Sequence, residues 1–181
     1  NYEPVPVLAE SYEVSDDGMV YTFKLRQGVK FHNGEEMKAD DVVASMNRWL
    51  ELSAKANTLI GGSVFEEVDD YTVKMTANQA SSDIIMILAS PIQFAATYPK
   101  EVVESASEEG ITEYIGTGPY KLAEWKQDQY VKLERYEDYQ PSPNASTGLA
   151  DAKDVVSDVI YFRVVTDSAT RIAGVENGQY D

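Results

Sequence analysis

The sequence contains no cysteine. Disulfide scaffolds, thiolate metal sites and thiol nucleophiles are therefore excluded. The omission suits a chain that must avoid mispaired disulfides outside the cytoplasm. Histidine occurs once, at position 32, so a Ser-His-Asp relay or a histidine metal site has only this ring to draw on. It lies in an apparent turn, His32-Asn33-Gly34, and reads as a structural turn residue. Positive charge is scarce: 15 Lys and Arg face 31 Asp and Glu, a net charge of −16 over 181 residues. No basic run is available to neutralise phosphates, which argues against nucleic acid as a partner, and the acidity repels anionic membrane surfaces. Long apolar runs are missing too. The longest, Ile84 to Ala89, falls far short of the roughly 18–20 residues of a membrane helix. No basic segment followed by an apolar one opens the sequence, so any secretion signal is expected to be already removed or outside it.

What is present is ordinary globular material. Hydrophobic residues make up 43% and charged residues 25%, close to average usage, and the length suits one or two domains with a real core. Catalytic patterns are not evident. Glu35-Glu36 and Asp40-Asp41 are adjacent pairs, and neighbours in a helix do not face one another. Asp16-Asp17-Gly18 is too short for a calcium loop. Gly116-Thr117-Gly118-Pro119 lacks the Gly-Lys-Ser/Thr of a phosphate loop and reads as a tight turn into a strand. No catalytic residue, metal ligand or cofactor is assigned.

The chain punctuates often. Leu8 to Val14 and the alternating Tyr21, Phe23, Leu25 read as a hairpin around Ser15-Asp16-Asp17-Gly18, with Gly18 at positive φ. Asp40 and Asp41 open a helix whose apolar stripe is Val42, Val43, Met46, Trp49 and Leu50, which assigns Trp49 to the core. Lys55 to Gly62 reads as a loop. Val64–Val68 and Tyr71–Met75 form a second hairpin, with Tyr71, Val73 and Met75 on one face. Ser81-Ser82-Asp83 caps a short helix, Ile84–Leu88, and Ser90 to Phe94 leaves it as a loop. Pro99 suits the first position of a helix over Glu101–Ser107. Strands follow near Tyr120–Trp125 and Tyr130–Arg135, then a polar linker, Pro141–Asp154, a strand at Val159–Val165, and a helix, Ala169–Asn177, capped by Asp167 and ended by Gly178. The aromatics Tyr120, Trp125, Tyr130, Tyr136 and Tyr139 are assigned mainly to the core. Because Pro119 restricts the residue before it, Gly118, and with it Gly116, is expected at positive φ or in an extended geometry open mainly to glycine. The class is α+β: mixed, mainly antiparallel sheets with flanking helices.

The residues carry a resemblance. Leu8-Ala9-Glu10-Ser11-Tyr12-Glu13-Val14-Ser15-Asp16-Asp17-Gly18, Tyr21 to Arg26, Gly28-Val29-Lys30-Phe31-His32-Asn33-Gly34 and Ala39 to Val43 closely resemble the family 5 extracellular solute-binding proteins of ABC importers, which include oligopeptide-, dipeptide- and nickel-binding proteins. Gly116 to Tyr120 with Leu133-Glu134-Arg135 and Tyr139 looks like the family's second block. Asp158 to Phe162, Asp167 to Arg171 and Gly178 to Asp181 look like the third.

The resemblance implies a partial lobe of the class II periplasmic-binding-protein fold. Members are roughly two to three times longer, so the sequence is expected to be a piece: 1–112 the small subdomain of lobe I, 113–181 part of its main subdomain, lobe II absent. It implies capture rather than catalysis. A periplasmic or extracellular protein, free or lipid-anchored, would enclose a peptide, as a monomer, and deliver it to an ABC permease. The alternatives are a glycan, an opine or a metal chelate as ligand, a ligand-sensing receptor, and, remotest, a secreted enzyme or lectin-like module. In relatives the loops after the first long helix and after the short apolar helix approach the cleft. This implies Asn57, Thr58, Leu59, Ser90, Gln93 and Phe94 as ligand contacts. Nickel-binding relatives carry a Trp and an Arg in these regions; this sequence has neither.

Overall fold

A computed structural model describes residues 4–107, 110–144 and 152–181. The polar linker expected at Pro141–Asp154 lies partly outside the described residues. Two antiparallel sheets organise the chain. The first combines β1 (Ala9–Val14), β2 (Val20–Leu25), β3 (Val64–Asp69) and β4 (Thr72–Thr76) in the order β1-β2-β4-β3. The second is β5 (Tyr120–Lys126), β6 (Tyr130–Arg135) and β7 (Val159–Arg163), in sequence order. Both predicted hairpins are present. Gly18 has φ 69°, the left-handed value its turn requires, and its N–H donates to the Ser15 carbonyl at 2.8 Å.

Helix α1 (Ala39–Leu52) packs across β3 and β4. Its buried face, with Met46 and Leu50, meets Val73 and Met75 of β4 and Tyr21 and Leu25 of β2 in one core. Trp49 lies at the margin of that core, half-buried rather than enclosed. Its indole N–H leaves the helix to donate to the Gln93 carbonyl at 2.7 Å, as a ring with a polar edge does at a boundary. The helical stripe is right, but Trp49 marks its edge.

Asp41 fixes the start of α1. One carboxylate oxygen accepts the Lys38 N–H at 2.9 Å and the other the Lys100 N–H at 2.8 Å. One side chain thus joins the N-termini of α1 and α4 (Lys100–Glu104). Burial outweighs these bonds and holds the carboxyl above its ordinary range. Asp41→Ala is expected to lower stability by about 1–3 kcal/mol, the usual cost of stranding polar partners. Asp41→Asn, which keeps one acceptor, should cost less. Urea melts of the three proteins check the order.

Several boundaries move. Lys55 to Gly62 is not a loop: Ala54–Ile60 forms helix α2. Ser53 ends α1 and caps α2, its Oγ accepting the Ala56 N–H at 3.1 Å, while Ala56 and Ile60, four apart, are buried. Helix α3 (Ile84–Leu88) has its predicted bounds, but Asp83 gives it no side-chain capping bond. Pro99 is the residue before α4, not its first residue, and α4 ends at Glu104. Helix α5 (Ser168–Glu176) is capped as predicted, Asp167 Oδ1 accepting the Thr170 N–H at 2.8 Å. Of the aromatic group, Tyr136 is buried, Trp125 is exposed, and Tyr120, Tyr130 and Tyr139 are half-buried. Among the described residues, no helix packs closely on the second sheet to enclose all of them.

The loop after β2 links the sheets. Val29, Phe31 and Met37 form a small second core with Leu8, Val42 and Ile115 against it. The buried Tyr136 hydroxyl donates to the Phe31 carbonyl at 2.6 Å. His32 reaches across to the Gly116–Gly118 segment, so the single histidine is structural, though at a junction rather than in a free turn. Neither Gly116 nor Gly118 has positive φ. A Cβ on Gly118 meets nothing within 4 Å, and one on Gly116 meets only His32 Cε1 at 3.7 Å. The open space removes the steric case for glycine at 118. Gly118→Ala is expected to change stability by no more than about 0.5 kcal/mol, as surface changes usually do; thermal unfolding of the variant measures it.

Candidate functional site

The α1–α2 corner and the segment after α3, the two regions in which the resemblance implied ligand contacts, come together. Gln93 makes the join. Its side-chain Oε1 accepts from Ser53 Oγ at 2.9 Å and from the Lys55 N–H at 3.1 Å, and its carbonyl takes the Trp49 indole proton. Lys55 Nζ donates to Ser90 Oγ at 2.6 Å, and Ser90 Oγ also accepts the Ile92 N–H at 3.3 Å. Gln93 itself sits at φ 52°, a left-handed conformation that a residue with a Cβ adopts at a cost and that persists where surroundings impose it. Five hydrogen bonds onto Gln93, Ser90 and their neighbours supply that constraint. The loop is therefore held rather than loose, and it presents Ile92 and Phe94 at 70% and 68% exposure.

The six predicted contacts divide. Ser90 and the Gln93 side chain are engaged in anchoring the loop. Thr58 Oγ1 donates to the Ala54 carbonyl of its own helix at 2.7 Å. Asn57, Leu59 and Phe94 face solvent. Sequence reasoning did not single out Lys55 or Ser53. Ser53 ahead of an Ala-rich segment with Ile four residues after Ala56 was the available signal, since a Ser before a helix-forming run marks an N-cap.

Two cavities flank α3. One, about 640 Å³, is bordered by Lys55, Leu59, Asp83, Met86 and Ser90, so two of the predicted contacts line it together with one cation and one anion. The other, about 530 Å³, is mostly apolar and runs between Phe23, Leu25 and Val73 of the first sheet and Ile85 and Leu88 of α3, toward the Gly116–Pro119 segment. Both lie within the range usual for small-molecule sites. Among the described residues, no three His, Cys, Asp or Glu side chains group as metal ligands, and no helix is long and apolar enough to cross a membrane.

Comparison with known proteins gives a consistent result. Residues 3–181 match the model for bacterial extracellular solute-binding proteins, family 5 Middle. The chain is 38% identical over 180 residues to the glutathione-binding protein GsiB of Escherichia coli K12, covering 96% of this chain and 32% of that protein. It superposes on the oligopeptide-binding protein AppA of Bacillus subtilis, solved with a nonapeptide, with TM-score 0.73 and 28% identity, covering 96% of this chain and 34% of that one. It also superposes on NikZ of Campylobacter jejuni, solved with Ni(L-His), with TM-score 0.76 and 26% identity, covering 97% and 34%. The chain spans about a third of the length of these relatives. The mixed, antiparallel architecture is that of a partial lobe of a class II periplasmic binding protein.

Proposed function

From the premise that the chain belongs to the family 5 bacterial extracellular solute-binding proteins, we propose that it is part of the substrate-binding component of an ABC importer whose solute is a short peptide. The 38% identity to a glutathione-binding protein across nearly the whole chain carries this reading. Glutathione is itself a tripeptide, and a nonapeptide occupies one structural neighbour. In this reading residues 1–112 are the small subdomain of lobe I, 113–181 belong to its main subdomain, and the second lobe lies outside the chain. The protein works outside the cytoplasmic membrane, as a monomer, free or lipid-anchored, and hands its solute to a permease.

The α1–α2 corner supports the same reading. Lys55 offers an ammonium group beside Ser90 and Leu59 at a cavity mouth. A cation next to a hydroxyl and an apolar side chain suits a peptide's terminal carboxylate and adjoining side chain. Asn57, Leu59 and Phe94 are the exposed neighbours that would touch the rest of the ligand. Closure around it would follow from tighter binding to the closed form.

Mass spectrometry of the ligand carried by the protein at the relatives' full length, purified without denaturation, tests the reading. A di- or tripeptide or glutathione is the expected species. A sugar, an opine or a metal chelate in its place would overturn it.

A further inference from the structure

We propose that neutral His32 is a releasable clasp: it holds the loop after β2 against the Gly116–Gly118 segment, and its protonation frees that segment without unfolding either sheet. Three hydrogen bonds join the two pieces. The His32 backbone N–H donates to the Gly116 carbonyl at 2.9 Å. The Gly116 N–H lies 3.2 Å from Nδ1, and Nε2 lies 3.0 Å from the Gly118 carbonyl. A backbone amide can only donate and a carbonyl can only accept. Nδ1 must therefore be bare and Nε2 must carry the proton. The geometry admits one state of the ring, the neutral Nε2–H form. A second proton on Nδ1 would point at the Gly116 N–H and replace an attraction with a clash of donors.

The surroundings offer the cation little compensation. The ring is half-buried, and Tyr136 meets it edge-on with centroids 5.2 Å apart. The segment from Ile115 to Pro119 carries no titratable side chain. Lys121 of β5 adds like charge. Of the carboxylates on the flanking elements, Glu35 accepts from Asn33 Nδ2 at 2.8 Å, Glu36 from the Gly28 N–H and the Tyr71 hydroxyl, and Asp138 pairs with Lys30 at 3.4 Å, while Glu113 and Glu137 are exposed to water. Burial, the larger influence, and Lys121 together push the imidazole below its ordinary value, against the opposing Gly118 bond. A histidine with a depressed folded value stabilises fully above the unfolded value near 6.5 and loses that contribution as pH falls through the folded one. The clasp is thus closed at neutral pH and opens in acid. Each sheet retains its own hydrogen-bonded ladder, which is why release is local.

Because His32 is the only histidine in the sequence, its ring signals are unambiguous in a ¹⁵N NMR titration of the 181-residue chain. The expected result is an Nε2–H tautomer at neutral pH and a midpoint below about 6.5. The Gly116 and Gly118 amide shifts should follow the same midpoint, and Gly116 exchange, corrected for its intrinsic rate, should rise at least about 10-fold below it. His32→Gln, which cannot titrate, should flatten the pH response at both glycines; if that variant fails to fold, the wild-type titration decides alone. An Nδ1–H tautomer, a midpoint at or above 6.5, glycine amides indifferent to the ring, or collapse of both sheets at the same midpoint would each overturn the proposal.

Discussion

The 181-residue chain on its own is expected to bind glutathione and di- or tripeptides at least about 100-fold more weakly than the protein at the relatives' full length, a difference of roughly 2.7 kcal/mol. The reason is enclosure. A small-molecule site ordinarily buries most of its ligand's surface, and this chain spans about a third of its relatives. Asn57, Thr58, Leu59, Gln93 and Phe94 all stand exposed here, so they offer one wall. A ligand resting on one wall keeps most of its water, and a charge pair with Lys55 in that setting is worth little. Isothermal calorimetry on both lengths, with the same peptide set, makes the comparison. Micromolar binding by the 181-residue chain alone would show that a complete site already exists within it.

Much of the fold was legible because local rules and tertiary demands agreed. Alternation in β2 and β4, the stripe on α1, the Asp167 cap and the positive φ of Gly18 are each set within a few residues, and each appears in the structure. The failures have specific causes. Helix α2 was hidden by the nearby Gly61-Gly62 and by its shortness, since seven residues give periodicity little room. Trp49 belongs to the right stripe, but how far a stripe residue is covered depends on what lies opposite. Here that is the Gln93 loop, 44 residues away. The expectation of positive φ or a glycine-only extended geometry at Gly118 rests on its proline neighbour, but the restriction before proline favours extended conformations that any residue reaches. The candidate site shows the same division. The resemblance pointed to two regions, and the structure brings them into contact. That Gln93 would use its side chain to anchor the loop, and that Lys55 would stand beside Ser90, depends on packing between segments distant in sequence. The role of His32 was equally invisible, because its partners lie more than 80 residues further along.

Phe31→Ala is the substitution expected to cost the most stability, about 3–5 kcal/mol, toward the upper end of that range. Phe31 is 1% exposed, and among the described residues its ring shares a small core with buried Val29 and Met37. The penalty for a truncated side chain has two parts, the lost burial and the void that remains, and the second depends on whether the surroundings can close in. They cannot do so easily here. The Phe31 N–H donates to the Glu35 carbonyl and the Met37 N–H to the Val29 carbonyl, both at 2.8 Å, Lys30 and Glu36 pair as a β-bridge, and Gly28 N–H is held by the Glu36 side chain. The Phe31 carbonyl is fixed in turn by Tyr136. A backbone held at this many points keeps its shape and leaves the void open. Since the same loop carries His32, the damage should reach the junction. Urea denaturation of Phe31→Ala should show a lowered midpoint, and Gly116 amide exchange should rise at neutral pH, where His32 is still uncharged. Phe31→Leu, which refills part of the space, should recover more than half of the loss. A midpoint shift in Phe31→Ala worth less than about 1 kcal/mol would mean that the small core collapses freely and that the two sheets are joined by something other than this loop.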